Sequence, residues 1–236
     1  MLNTFTFHTT AEEVANVFAS EIAGKNGIGL QLAEDALKKE IPAANIRKLI
    51  LDLSSLAAVR VAAAEANAYP EPLHVLINNA AAAITPFKVT VDNLEKQMGT
   101  GHVGPFLFTN LLVPTLLAAT SGTYTPRVVF ISSIAHMFLA AIDFATLAQP
   151  NPAKYASSIE PYNETKGANV LTATELSRRS HGTLNAYSLH PGLIYTNQSQ
   201  NPESLSAFQA YGILDDEGRP DSSVYAWKTI PEGAAT

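Results

Sequence analysis

The chain has 236 residues, 47% hydrophobic and 15% charged, which suits one compact α/β-sized domain with a substantial core and excludes a disordered tail or a fibre. Fifteen Lys and Arg against 21 Asp and Glu give a net charge of −6, so no broad basic face is expected for nucleic-acid phosphates. There is no cysteine, which removes disulfides, thiolate catalysis and Cys-ligated zinc together.

In chain order, residues 10–20 place Val14, Val17 and Phe18 at helical spacing behind Thr10, a candidate N-cap. A Gly-rich segment, Gly24 to Gly29, leads into a second helical stripe over 30–40 that ends in lysines. After Pro42 the texture becomes βα alternation. The apolar runs 47–53, 73–79, 127–133 and 184–190 read as buried strands. Helical patterns lie between them: one from Ser54 or Ser55 as cap, one around 91–119 and one over 161–179. Four such strands imply a parallel sheet covered on both faces. Residues 136–158 read as loop, and the tail 197–220 carries a short helical pattern, ESLSAFQAYG. The first residues lack a basic region followed by an apolar one. The longest apolar stretch, 111–119, includes Pro114 and falls short of the roughly 18 residues a membrane span needs. A soluble, cytoplasmic protein with no transmembrane segment is expected.

Tyr162 and Lys166 stand four residues apart, a spacing that puts a phenol and an ammonium on one helix face. A close positive charge favours the phenolate and brings a weak base toward its working range. Taken alone, the pair reads as well as a packed tyrosine beside a solvated lysine. Ser133, ending the run RVVFISS, could bind a substrate oxygen or simply cap a turn. Asn78 and Asn79 end another strand before small residues, which suits a flat ligand against backbone and equally suits a turn. Pro191-Gly192 leaves the last strand and reaches the hydroxyl of Thr196.

Together and in this order, these residues resemble the short-chain dehydrogenase/reductase family, in its fungal retinol-dehydrogenase-like and WW-domain-oxidoreductase-like branch, over about residues 11–236. The matching motifs are Asp52-Leu53 after a strand, Asn78-Asn79-Ala80-Ala81 in place of Asn-Asn-Ala-Gly, Ser133, Tyr162-x-x-x-Lys166, and Pro191-Gly192 with Thr196. The resemblance implies a Rossmann-like, doubly wound parallel sheet over a single domain, 1–236. It also implies hydride transfer between NAD or NADP, with NADP slightly preferred, and a small carbonyl or alcohol. Tyr162 would be the general acid/base, Ser133 would orient the substrate oxygen, and Lys166 would lower the tyrosine pKa and bind the nicotinamide ribose. Asp52 and Leu53 would face the adenine, Asn79 and Ala80 the ribose side, and Pro191, Gly192 and Thr196 the nicotinamide end.

Several features depart from the family pattern. The phosphate-binding turn would be Gly24, Gly27 and Gly29, one residue short and behind a helical segment instead of a strand. Only 23 positions separate Gly29 from Asp52. The first and second family strands are therefore expected to be absent, and the end at Thr236 leaves no place for the last one. The sheet is then reduced to about four strands, with 47–53 expected to pair directly with 73–79. An apolar edge left by lost strands makes a homo-oligomer a further expectation. Gly101 stands where the family has an Asn that helps hold a proton-relay water. The alternative function is a catalytically impaired remnant with weak or no cofactor binding that acts, if at all, through interactions. No Gly-x-Ser-x-Gly elbow or Gly-x-x-x-x-Gly-Lys-Ser/Thr loop is present, and the six histidines show no ligand spacing, so no metal is expected.

Overall fold

In a computed structural model of the chain, the described residues are 34–35, 37–39, 41–43, 45–82, 84–139, 141–155, 157–196 and 199–236. The helix expected over 10–20 and the Gly-rich segment 24–29 lie outside them. The chain divides into two compact units, one of residues 49–190 and one of residues 1–48 with 191–236.

In the unit 49–190, Ser55 turns the chain from an extended approach into α1 (Leu56–Asn67), its hydroxyl accepting the Ala58 N–H at 3.3 Å. Parallel strands follow at β1 (Val75–Asn78), β2 (Arg127–Ile131) and β3 (Asn185–Leu189), in the order β1-β2-β3. Between β1 and β2 runs α2 (Gly104–Leu117), entered through a helical turn at Lys96–Met98 and a π-turn at Gly99–Val103. Between β2 and β3 come a 3-10 turn at Ile134–Phe138, the short α3 (Phe144–Ala148) and the long α4 (Glu160–Arg179). Glu160 in the first turn of α4 and Arg178 and Arg179 in its last complement the helix dipole.

The two-residue period of the strands sorts their side chains. Leu76, Val128 and Ala186 stand side by side in register, and Val128 and Phe130 are completely buried. Against that face pack Val59, Ala62 and Ala63 of α1, Phe108, Leu112 and Leu116 of α2, and Ala173 of α4. The alanines of α1 leave room for close approach to α2. On the opposite face Val75, Ile77 and Tyr187 are exposed, so helices within this unit cover one face of the sheet.

The expected strand over 47–53 does not form. Residues 49–52 join no ladder and Leu53 turns toward α1, and among the described residues β1 pairs with β2 alone, giving a sheet of three strands and not four. Leu49, Leu51 and Leu53 alternate toward the hydrophobic core and pack on it, so their burial explains the apolar run without a ladder. The helical pattern expected from Val91 starts later, at Lys96, because the chain first closes an antiparallel bridge between Val89 and Glu95.

In the other unit, residues 34–35 and 37–39 are helical, as the stripe over 30–40 predicts. β4 (Leu193–Ile194) pairs in parallel with β5 (Trp227–Lys228). The tail pattern forms α5 (Pro202–Ala210), capped by Asn201, and α6 (Ile230–Ala234) opens with a reciprocal Thr229 and Glu232 capping box. Among the described residues, no helix is long and apolar enough to cross a membrane.

The burial contrast within the sheet sets an expected outcome for urea denaturation. Phe130→Ala should lower stability by about 3–5 kcal/mol, because the surrounding helices cannot collapse into the space. Ile77→Ala, on the exposed face, should cost well under half of that.

Candidate active site

β2 ends at Ile131, and the two serines after it do different work. The Ser132 N–H donates to the Leu189 carbonyl at 2.7 Å, and its hydroxyl donates to the Lys166 carbonyl at 2.8 Å, pinning α4 to the strand end. Ser133 is extended and half-buried. Its oxygen caps the 3-10 turn by accepting the Ala135 N–H at 3.2 Å, and the same side chain hydrogen-bonds Tyr162. The cap and the site contact are thus both present.

Tyr162 and Lys166 lie one turn apart on α4, with the Lys166 ammonium 5.4 Å from the Tyr162 ring centroid. Lys166 is only 4% exposed, and its Nζ donates to the Ile131 carbonyl at 2.8 Å. Burial brings its pKa down from 10.5 to about 8. Tyr162 moves upward, pushed by burial and partly offset by the Ser133 hydrogen bond. This is opposite to the shift expected from a neighbouring ammonium, because loss of solvent is the largest cause acting on the phenol.

The remaining expected residues are spread more widely. Asp52 accepts from the Ser54 N–H and hydroxyl at 2.9 and 2.6 Å and so shapes the turn into α1. Leu53 packs on the core, its carbonyl so near α2 that a Cβ at Gly104 would lie 2.6 Å from it. Asn78 donates to Thr109 at 3.0 Å, a structural tie, while Asn79 and Ala80 are exposed just past β1. Gly24, Gly27 and Gly29 lie outside the described residues. Pro191, Gly192 and Thr196 belong to the other unit. There Gly192 takes a φ of +97° against Lys228, and the Thr196 carbonyl accepts the Ser199 N–H at 2.9 Å. Within the unit 49–190, the structure brings together Ser133, Tyr162 and Lys166.

Two further residues join this cluster. Asn169, 2% exposed and one turn beyond Lys166, donates to the Gly101 carbonyl at 3.2 Å and to Ile131 at 3.4 Å. Its Oδ1 meets His102 Nδ1 at 2.9 Å. Burial lowers the His102 pKa, and the Asn169 contact partly opposes that. Spacing on α4 puts Asn169 beside Lys166, but its partners are far away in sequence. At Gly101 a Cβ would lie 2.7 Å from the Thr165 Cγ2, and the Thr165 hydroxyl donates to Pro161 at 2.7 Å, which locks that rotamer. The Thr165 methyl thus occupies the space a side chain at 101 would need.

As a donor set, a phenol, a hydroxyl and an ammonium with one of three protons committed suit an oxygen-rich ligand. They fit the ribose and nicotinamide half of a dinucleotide together with a carbonyl or alcohol. A parallel sheet with crossover helices and this cluster at a strand's carboxyl end define an α/β protein of the dinucleotide-binding kind.

The chain belongs to the short-chain dehydrogenase family: the family model described as short chain dehydrogenase matches residues 11–143, more than half of the chain. It is 33% identical over 219 residues to short-chain dehydrogenase TIC 32 A, chloroplastic, of Brassica napus, covering 91% of this chain and 65% of that protein. It is 35% identical over 193 residues to retinol dehydrogenase 12 of Mus musculus, covering 78% and 58%. The chain therefore spans about two thirds or less of the length of these relatives. Among solved structures, the NADPH-bound carbonyl reductase from chicken fatty liver matches with a TM-score of 0.56 at 23% identity, covering 89% and 73%. The RhlG/NADP complex of Pseudomonas aeruginosa matches at 0.60 and 20%, covering 95% and 81%. Both carry the same fold.

Two outcomes follow from the packing and from the burial of Lys166. Gly101→Ala should cost about 1–3 kcal/mol by overpacking. Adding Thr165→Ser, which removes the obstructing methyl but keeps the hydroxyl, should recover most of that, as a double-mutant cycle would show. The folded pKa of Lys166 lies below its unfolded value, so between pH 8 and 10 the unfolded chain binds more protons. Stability from this group is lowest below pH 8 and rises across that window. Lys166→Met should remove the rise in denaturation midpoints measured from pH 7 to 9.5.

Proposed function

We propose that the chain is an NAD(P)-dependent oxidoreductase that interconverts a carbonyl and an alcohol. The observation that carries this reading is the hydrogen-bonded Ser133 and Tyr162 pair one helical turn from the buried ammonium of Lys166. The nicotinamide, when bound, supplies or accepts the hydride. Tyr162 donates its proton to the carbonyl oxygen as the alkoxide forms, and Ser133 orients that oxygen by donating to it. Lys166, with a pKa near 8, is largely charged at neutral pH and steadies the phenolate left behind. Tyr162 and Lys166 would also hold the ribose hydroxyls, and Asn79 and Ala80, exposed beyond β1, would line the same side. NADP is the form to test first, because the chicken and Pseudomonas neighbours are complexes with NADPH and NADP. Exposed Met137 and Phe138, on the turn that Ser133 caps, favour an apolar carbonyl substrate.

A second reading, a cofactor-poor chain that acts through interactions, is favoured by the 23 positions between Gly29 and Asp52. Fluorescence titration separates the two. Micromolar NADPH binding supports the oxidoreductase, and no binding at millimolar NADPH and NADH supports the second reading. In an active preparation Tyr162→Phe should lower turnover by about 10²–10⁴-fold. Because burial holds Tyr162 protonated, carbonyl reduction should be fastest near neutral pH and alcohol oxidation should climb as pH rises toward the ordinary phenol range and past it. The opposite ordering, measured as initial rates in each direction, would count against this acid role.

A further inference from the structure

Two carbonyls beside Lys166, those of Gly101 and Ile131, accept from side chains of α4. Gly101 lies in the π-turn that runs into α2 through Gly104 and Pro105, and Pro105 has no N–H to offer a carbonyl one turn back. Ile131 is the last residue of β2. The next N–H, on Ser132, points to Leu189 of β3, so by strand alternation the Ile131 carbonyl turns toward β1. β1 has already ended, at Asn78, which is in register with Phe130. A buried carbonyl left unmatched is costly, and α4 serves both. Lys166 and Asn169 converge on Ile131 at 2.8 and 3.4 Å, and Asn169 alone spans from there to Gly101 at 3.2 Å. Its remaining polar atom is taken by His102 Nδ1 at 2.9 Å, so this buried amide is fully used.

We propose that Asn169 is a positioning residue for Lys166: by bracing the Ile131 carbonyl against the π-turn at Gly101, it fixes the acceptor that holds the ammonium in place. Asn169 does not itself touch substrate. The inference rests on the reading of Lys166 as part of an oxidoreductase site, yet the bracing can be observed without cofactor. The His102 contact orients the amide so that both of its N–H groups face the two carbonyls. His102 is therefore secondary, and the carbonyl ties carry the effect.

The test reads the Lys166 ammonium by ¹H–¹⁵N NMR at pH 6, where a buried, hydrogen-bonded lysine gives a slowly exchanging signal. Asn169→Leu, similar in shape but without donors, should speed exchange of the Lys166 Nζ protons at least tenfold. Asn169→Ser, which keeps one donor and replaces the leucine variant if that one does not fold, should fall between. His102→Phe should leave the exchange within twofold of the parent. The proposal is overturned if the asparagine variants leave Lys166 exchange within twofold, or if His102→Phe speeds it as much as Asn169→Leu. NADPH titration of the parent protein is a separate readout: failure to bind would sink the oxidoreductase reading and leave the bracing result standing.

Discussion

A buried lysine ammonium seated on a backbone carbonyl at the end of a strand is the constraint on which the rest of the site depends. A charge held at 4% exposure is expensive unless hydrogen bonds replace its water, and the carbonyl of Ile131 supplies one. That carbonyl is available because β2 runs one residue past the end of β1. Helix α4 must then sit where Lys166 can reach the strand end. The Ser132 hydroxyl, bonded to the Lys166 carbonyl, holds the same turn from the other side. The helix carrying Tyr162 is thus located by polar contacts at the strand end as well as by Ala173 in the core.

The same burial sets the chemistry. It pushes the two groups of the pair in opposite directions, Lys166 toward its neutral form and Tyr162 toward its protonated one. The Ser133 hydrogen bond is what moderates the tyrosine. An acid held ready beside a cation that can steady its conjugate base suits proton donation to a developing alkoxide. Membership of the short-chain dehydrogenase family rests on the match over residues 11–143, which includes Ser133.

Much of this was legible from residue order. The apolar runs at 73–79, 127–133 and 184–190 hold the strands 75–78, 127–131 and 185–189, and Ser55, one of the two candidate caps, is the cap, because both depend on local pattern. The Tyr162 and Lys166 spacing put them on one face because any helix does so. What stayed hidden depended on partners distant in the chain. The run 47–53 has a strand's period but packs its leucines on the core without a ladder. Lys166 reads as a solvated lysine until Ile131, 35 residues earlier, is seen as its acceptor. His102 and Asn169 are 67 residues apart, and no local signal joins them. The complementarity of Gly101 and Thr165 is likewise a matter of a methyl group and an absent one, visible only in space.

The site turns on one ionisation, so titration of Lys166 itself is the most direct measurement. Lysine-selective ¹³C and ¹⁵N labelling would follow its Cε and Nζ resonances from pH 6 to 11, with Lys166→Met providing the assignment. A midpoint near pH 8 is expected for this lysine, well below the ordinary lysine value of 10.5. A Lys166 midpoint at that ordinary value would mean that the ammonium is solvated and not seated on Ile131, and would contradict the burial on which the site depends.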